Sequence, residues 1–256
     1  MIEATEYDKY YYQYEYDVVQ RYLIPLLLRW GVKLSGSKLL DVGCGDGGGL
    51  AAVYDAGMIC KGFDIEQRRV DLALTMNHPR TMTLCVGNIY NTLVPFDGEQ
   101  FDLVVLHDVF EHLEQKEKVL QILKSYLAPN GRLFITFPPY YSAFGGHQQL
   151  MKTWFIKLPF AHLVPFVFSG LLPRLQKEHR PFVNEVRKLA ELKMGMRKFE
   201  QLLPNAGLML VAKQGYVISP NHVRFGLKPI PSNLIANIPV FGELLTSGAV
   251  YLLSRT

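Results

Sequence analysis

Three cysteines in 256 residues, Cys44, Cys60 and Cys85, are too few and too scattered for a disulfide framework or a cysteine-ligated zinc site. The count is odd and no CxxC occurs, which points to a reducing compartment. No one sign of charge dominates: the formal net charge is +4, which makes no case for a nucleic-acid partner. The opening MIEATEYDKY is acidic and polar, unlike a secretory signal. The greasiest run, Leu158 to Pro173, is interrupted by Pro159, His162 and Pro165. It falls short of the roughly 20 apolar residues a bilayer span needs. No internal repeat and no low-complexity linker is present. A globular cytoplasmic protein is expected, with peripheral contact through 150–173 as its route to a membrane.

What the chain has in quantity is apolar residues, 49% of the total, enough for a sizeable core. Residues 7–30 place Tyr11, Tyr14, Val18, Tyr22 and Leu26 at helical steps, with Pro25 expected to kink or divide the helix. Strand and helix signals then alternate. Strands are predicted at Lys38–Val42, Met58–Phe63, Thr81–Val86, Phe101–Leu106 and Arg132–Phe137. Helices are predicted at Leu50–Asp55, Gln67–Met76 and Phe110–Leu127. A further helix near 183–203, a strand at 208–218 and a last strand at Ala249–Ser254 follow. Such alternation with apolar strands predicts a parallel sheet covered on both faces. The regularity fails over 138–182, and the tail is broken by prolines before its last strand.

The strongest local signal is LLDVGCGDGGG, Leu39 to Gly49. Glycines at a strand end admit a ligand to the backbone, and the following helix N-terminus suits polar groups. The spacing Gly43-x-Gly45-x-x-Gly48 fits a dinucleotide fingerprint, and Asp64 stands where a ribose-binding acid belongs. NAD and S-adenosylmethionine therefore compete. Asp41 and Asp46 would repel a pyrophosphate and suit a ligand with sulfonium and ammonium charges, which favours the second.

The loop and the stretches that follow it resemble class I S-adenosylmethionine-dependent methyltransferases of the small-molecule type. The likeness runs through GFD at 62–64, VGNIYN at 86–91, LVPFDGEQFDLVVLHDVFEHL at 93–113 and LAPNGRLFITFP at 127–138. It implies that Gly43, Gly45 and Gly47 line the homocysteine part of the cofactor, with Asp41 fixing the loop or meeting the ammonium. It implies that Asp64, with Ile65 beside it, binds the ribose, that Asn88 and Ile89 flank the adenine, and that His107 and Asp108 border the homocysteine arm. The family often has Asp where this chain has Asn88, and an amide can still meet the adenine edge.

Methyl transfer is an in-line displacement that mostly needs positioning, with a base where the acceptor is oxygen. His147, on a Gly145-Gly146 hinge just past the fifth strand, is the first candidate base, and His107 the second. Asp108, Glu111 and His112 lie at i, i+3 and i+4, and His147 follows the neighbouring strand. The set resembles the metal ligands of some small-RNA 3′-end and ubiquinone-pathway methyltransferases. Glu-His at this position also ties helix to sheet in metal-free relatives, and no resident metal is expected.

Tyr11 and Tyr14 are candidates to close over the pocket, and Tyr140 and Phe144 to meet the acceptor. The segment 139–182 carries Trp154, Phe155, Phe160, Phe166 and Phe168 with few charges, beside the basic Arg174, Lys177, His179 and Arg180. An apolar patch of this kind walls a lipophilic pocket, lies on a membrane or forms a dimer contact.

The expected fold is one domain. A helical cap covers 1–35, a cofactor-binding core 38–138, a helical apolar lid 139–182, and the rest of the sheet 183–256. The sheet is expected to be doubly wound and seven-stranded, and the resemblance implies the order 3-2-1-4-5-7-6 with the last strand reversed. The expected activity is methyl transfer from S-adenosylmethionine to a small apolar or amphipathic acceptor, at oxygen. The alternatives are an NAD-dependent reductase and a catalytically silent scaffold that recruits a partner through the insertion.

Overall fold

The computed structural model describes residues 3–91, 95–164, 180–232, 238 and 240–256. Helix α1 (Glu6–Val18) starts at a capping box, in which Thr5 Oγ1 accepts from the Asp8 amide and Asp8 Oδ2 accepts from the Thr5 amide. Pro25 divides the N-terminal segment as predicted. A π-helical turn at Val19–Leu23 separates α1 from α2 (Ile24–Arg29), and Pro25 sits in the first turn of α2, where its missing amide costs least.

Strands β1 (Lys38–Val42), β2 (Ile59–Asp64), β3 (Thr83–Val86), β4 (Phe101–His107) and β5 (Leu127–Phe137) are joined through parallel pairings. After them come β6 (Leu208–Ile218), a two-residue β7 (Ile230–Pro231) and β8 (Gly248–Arg255). The sheet order is β3-β2-β1-β4-β5-β8-β6-β7, with β8 antiparallel to both neighbours. The doubly wound, mostly parallel fold is as expected, and β7 makes the sheet eight-stranded rather than seven.

Alternate residues of the central strands feed two cores. Leu40, Val104, Ile135 and Phe137 join Phe110 and Phe199 on one face. Leu39, Leu103 and Phe134 join Leu23, Leu26 and Leu27 on the other. Helices α3 (Gly48–Asp55) and α4 (Gln67–Asn77) follow the first two strands. α5 (Lys116–Ser125) precedes β5 with Val119, Leu120 and Leu123 buried.

Two helices differ from expectation. Phe110–Leu127 is not continuous: Phe110–His112 form a 3-10 turn, Leu113 is extended, and α5 begins only at Lys116. Lys116 Nζ reaches back to the carbonyls of Phe110, Glu111 and Leu113 at 2.6, 3.1 and 2.6 Å, supplying the donors that a continuous helix would have given. The helix expected near 183–203 is α6 (Arg180–Leu192) and α7 (Met196–Leu202), parted at Lys193, where φ is +43°.

The described part of the insertion before α6 is helical only in short turns. Residues 139–164 carry 3-10 turns at Gln148–Leu150, Trp154–Lys157 and Ala161–Leu163. Gly145 and Gly146 let it fold back on itself: a Cβ at Gly145 would lie 2.0 Å from Pro139 O, and one at Gly146 2.5 Å from the His162 ring. Met151 and Ile156 are buried, while Trp154 is 73% exposed. Phe166, Phe168, Arg174, Lys177 and His179 lie outside the described residues, as does much of the expected membrane-contact stretch. Among the described residues no helix is long and apolar enough to cross a membrane. A last short helix, α8 (Phe241–Leu245), precedes β8.

Candidate active site

The glycine loop leaves β1 through Gly43, Gly45 and Gly47, all at positive φ. The three have different reasons to be glycine. A Cβ at Gly43 would lie 2.6 Å from Val109 Cγ2, and one at Gly47 2.6 Å from Asn77 Nδ2 and 3.0 Å from Ala73 Cβ. These two are fixed by packing. A Cβ at Gly45 would meet only Arg69 Nη1, at 3.5 Å, so here the backbone is open to a ligand.

Asp64, at the end of β2, accepts from the Gly45 amide at 3.0 Å and the Glu66 amide at 2.9 Å, tying the loop to the sheet. A carboxylate has lone pairs left for ribose hydroxyls after two such bonds. Ile65 beside it is 64% exposed. On the adenine side, Asn88 Oδ1 accepts from the Tyr90 amide at 2.9 Å, while Ile89 is buried in the core beside Phe63.

The loop is strongly acidic. Asp41 is 8% exposed, and its Oδ1 has no hydrogen-bond partner. Burial, with the charge of Asp64 added, pushes its carboxyl up to about 7. Burial also raises Asp46, against the pull of Arg69 3.5 Å away. Glu15 of α1 joins them, raised to about 8 by burial and by the charge of Asp46.

At the end of β4, Asp108 has φ +53° and a fixed carboxylate. Thr136 Oγ1 donates to its Oδ1 at 2.7 Å, and Asn221 Nδ2 donates to its Oδ2. His107 Nε2 is 3.9 Å from the same Oδ2. Above the ends of β4, β5 and β8 lies a cavity of about 110 Å3. Its wall mixes His107, Asp108, His147 and His222 with Leu23, Phe137 and Phe144. Tyr14 supports this wall, its hydroxyl donating to Asn221 O at 2.8 Å, with the Tyr11 ring tilted against it at 5.8 Å between centroids. Tyr140 is not part of the wall: it is buried within the insertion, its hydroxyl 3.5 Å from His162 O.

His147 sits at φ +54° on its hinge, Nδ1 2.9 Å from Glu185 Oε1 of α6. That bond holds the Glu185 carboxyl below its usual range. Nε2 of His147 is 4.0 Å, and Nε2 of His112 3.6 Å, from Glu111 Oε1. Glu111 is 2% exposed, neither carboxylate oxygen has a hydrogen-bond partner, and burial raises it well above the usual range. Burial and the His147 charge lower His112 to about 4. Of the four residues considered for a metal, the structure brings Glu111, His112 and His147 within 4.8 Å of one another. Asp108 stands apart, bound to Thr136 and Asn221.

Sequence reasoning missed Glu15, Glu185 and Asn221. Glu15 stands four residues after Tyr11, so its helix face was readable. Glu185 and Asn221 reach their partners from 38 and 113 residues away, with no motif to mark them.

Residues 40–135 match the family model described as a methyltransferase domain. Over 132 residues the chain is 30% identical to a ubiquinone biosynthesis O-methyltransferase of Haemophilus ducreyi, covering 46% of this chain and 55% of that one. Over 133 residues it is 29% identical to phosphoethanolamine N-methyltransferase 2 of Caenorhabditis elegans, covering 51% of this chain and 30% of that one. The chain thus spans about a third to just over half of these relatives. Among solved structures it resembles the magnesium protoporphyrin IX methyltransferase of Synechocystis PCC 6803 with bound S-adenosylhomocysteine. That likeness has a TM-score of 0.55 at 17% identity, covering 95% of this chain and 84% of that one. An S-adenosylmethionine-dependent methyltransferase from Clostridium acetobutylicum gives a TM-score of 0.57 at 12% identity, over 94% and 92%. At such identities the likeness establishes the fold.

Proposed function

We propose that this protein, whose residues 40–135 match a methyltransferase-domain model, transfers a methyl group from S-adenosylmethionine to a small amphipathic acceptor held at the ends of β4, β5 and β8. The observation that carries the cofactor is Asp41, a buried carboxylate with an unpartnered oxygen beneath a glycine loop open at Gly45. A cationic ligand with N–H donors suits it, and a pyrophosphate does not. That counts against the NAD reading.

When bound, S-adenosylmethionine supplies a methyl carbon activated by its sulfonium. The chain's own part is to bind, orient and take a proton. Asp64 keeps the loop against β2 and offers its remaining lone pairs to the ribose. Ile65, Asn88 and Ile89 border the adenine, and His107 and Asp108 the homocysteine arm. Bound there, the cofactor would supply the carbon to which the acceptor's lone pair bonds and would take the carbon–sulfur electron pair onto sulfur, leaving the acceptor's proton for the protein to remove. His147 is the base this arrangement favours. With Nδ1–H donating to Glu185, its Nε2 keeps the lone pair, the relay expected of an activated imidazole. His107 is the alternative base.

The cavity is small. At about 110 Å3 it has room for the reacting end of an acceptor. A lining that mixes polar groups with Phe137 and Phe144 suits a hydroxyl on an apolar body. The ubiquinone-pathway relative supports oxygen as the acceptor atom. The test is transfer of labelled methyl into a cell extract followed by solvent partition. Label in the organic phase is expected. Label confined to the aqueous phase would overturn the amphipathic acceptor, and cofactor binding with no transfer would favour the silent scaffold.

Glu111 favours a second reading of the neighbouring cluster. A buried carboxylate with both oxygens unpartnered, beside two histidines, fits a divalent cation. Glu111, His112 and His147 would hold it, and such an ion would polarise an acceptor hydroxyl. Loss of transfer in a chelator, restored by one divalent metal, would select this role for His147 over that of base.

A further inference from the structure

Helix α1 crosses the N-terminus of α3 with nothing between the two backbones. A Cβ at Gly48 would lie 2.2 Å from Tyr12 O and 3.0 Å from Glu15 Cβ, and one at Gly49 3.2 Å from Val19 Cγ2. The third and fourth glycines of the GDGGG run therefore serve the helix, and they bring Glu15 onto the cofactor loop. Its carboxylate feels the charges of Asp46 and Asp41, and the Tyr11 hydroxyl lies beside it.

The charges here do not balance. Glu15, Asp41, Asp46 and Asp64 surround the loop. The nearby cation is Arg69, which is already shared: Nη1 is 3.5 Å from Asp46 Oδ1 and Nε 3.4 Å from Glu66 Oε2. Arg68 is turned to Asp8, at 2.9 Å. Acids alone would mark only a solvated face. Asp41 adds the independent sign, because it is buried and its Oδ1 lacks a partner. A sulfonium has charge but no N–H, so it cannot satisfy that oxygen. An ammonium has both, with three donors to share between carboxylates.

We infer that Glu15 is a cofactor-binding residue, which with Asp41 holds the ammonium of the cofactor's amino-acid arm. This rests on the S-adenosylmethionine reading above. It makes α1 a wall of the cofactor site rather than a cap on the sheet, and it extends the site to a residue 26 positions before Asp41.

The test compares two ligands by calorimetry. S-adenosylhomocysteine carries the amino-acid arm, and 5′-methylthioadenosine has the same nucleoside thioether without it. Glu15→Gln should weaken S-adenosylhomocysteine by about tenfold or more, the scale of a hydrogen bond to a charged group, and leave methylthioadenosine unchanged. Asp17→Asn, on the same helix but paired with Arg21 at 3.2 Å, should change neither. Equal weakening of both ligands by Glu15→Gln would overturn the inference by showing that Glu15 acts through the fold. So would no weakening of either. If the wild type binds neither ligand, the cofactor reading fails, and this one fails with it.

Discussion

The two sides of the cleft are assembled differently. On the β1–β2 side, Asp41, Gly43, Gly45 and Asp64 come from 24 consecutive residues and are held largely by backbone, through Gly45 N–H to Asp64 and Gly43 N–H to Phe63 O. On the β4–β5–β8 side, His107, Thr136, His147, Glu185 and Asn221 come from five separated segments. Side chains link them, Thr136 and Asn221 through Asp108 and His147 through Glu185. The first side is preorganised by the local fold. The second exists only once distant parts of the chain have met.

That contrast should show in which property each substitution moves. His147→Ala should lower methyl transfer by about 100-fold or more, the scale of a lost general base, while S-adenosylhomocysteine affinity stays put. Single-turnover transfer and calorimetry on the same preparation read the two. A parallel loss of cofactor affinity would show that the sides are not independent. Asp41→Asn should do the reverse of a pure stability change. Affinity should fall about 10- to 100-fold, while above about pH 7, where the buried Asp41 carboxyl is otherwise charged, the ligand-free protein melts at a higher temperature.

Acidity offers a finer test of the loop. Asp41 and Glu15 keep their protons in the folded protein up to about 7 and 8, where the unfolded chain has long released them. The folded form then binds more protons, so stability is fully present at low pH and falls as pH rises through those values. Burial lowers His112, His162 and His222, which works the other way, but only below about pH 6.5, the usual histidine value. Lys116, lowered by burial to about 8, acts only above that. Between pH 6.5 and 8 the ligand-free protein should therefore lose on the order of 2 kcal/mol, since each of the two carboxyls costs about 1.4 kcal/mol per pH unit over which it stays protonated. Asp41→Asn should flatten the slope in thermal melts across that window. The smallest effect is expected from Tyr140→Phe. Its hydroxyl makes a single 3.5 Å contact within the insertion, so stability should move by about 0.5 kcal/mol and transfer not at all.

The same contrast explains what could be read in the sequence. Strand β1, the glycine loop and Asp64 were legible because one short stretch contains both the signal and its partners. The break in Phe110–Leu127 was not, since its apolar spacing is helical and only the reach of Lys116 to three carbonyls makes the turn preferable. Phe144 and His147 were found from their place after β5 and do line the cavity. Tyr140 shares that place but is taken up by His162, a contact across 22 residues that no periodicity announces. Glu185 and Asn221 depended on contacts longer still.

The position of β8 bears on how the molecule is made. Of the described strands it is the last in chain order, yet it lies inside the sheet between β5 and β6. Until residues 248–255 emerge from synthesis, the long β5 shows an open edge of apolar residues, and β6 lacks the strand it pairs with along its length. The growing chain must carry those two unpaired edges, each able to recruit a stranger, for the time it takes to build everything between them. Closure is then a single insertion that joins both at once, so the sheet should gain its cooperativity in one step once β8 is made.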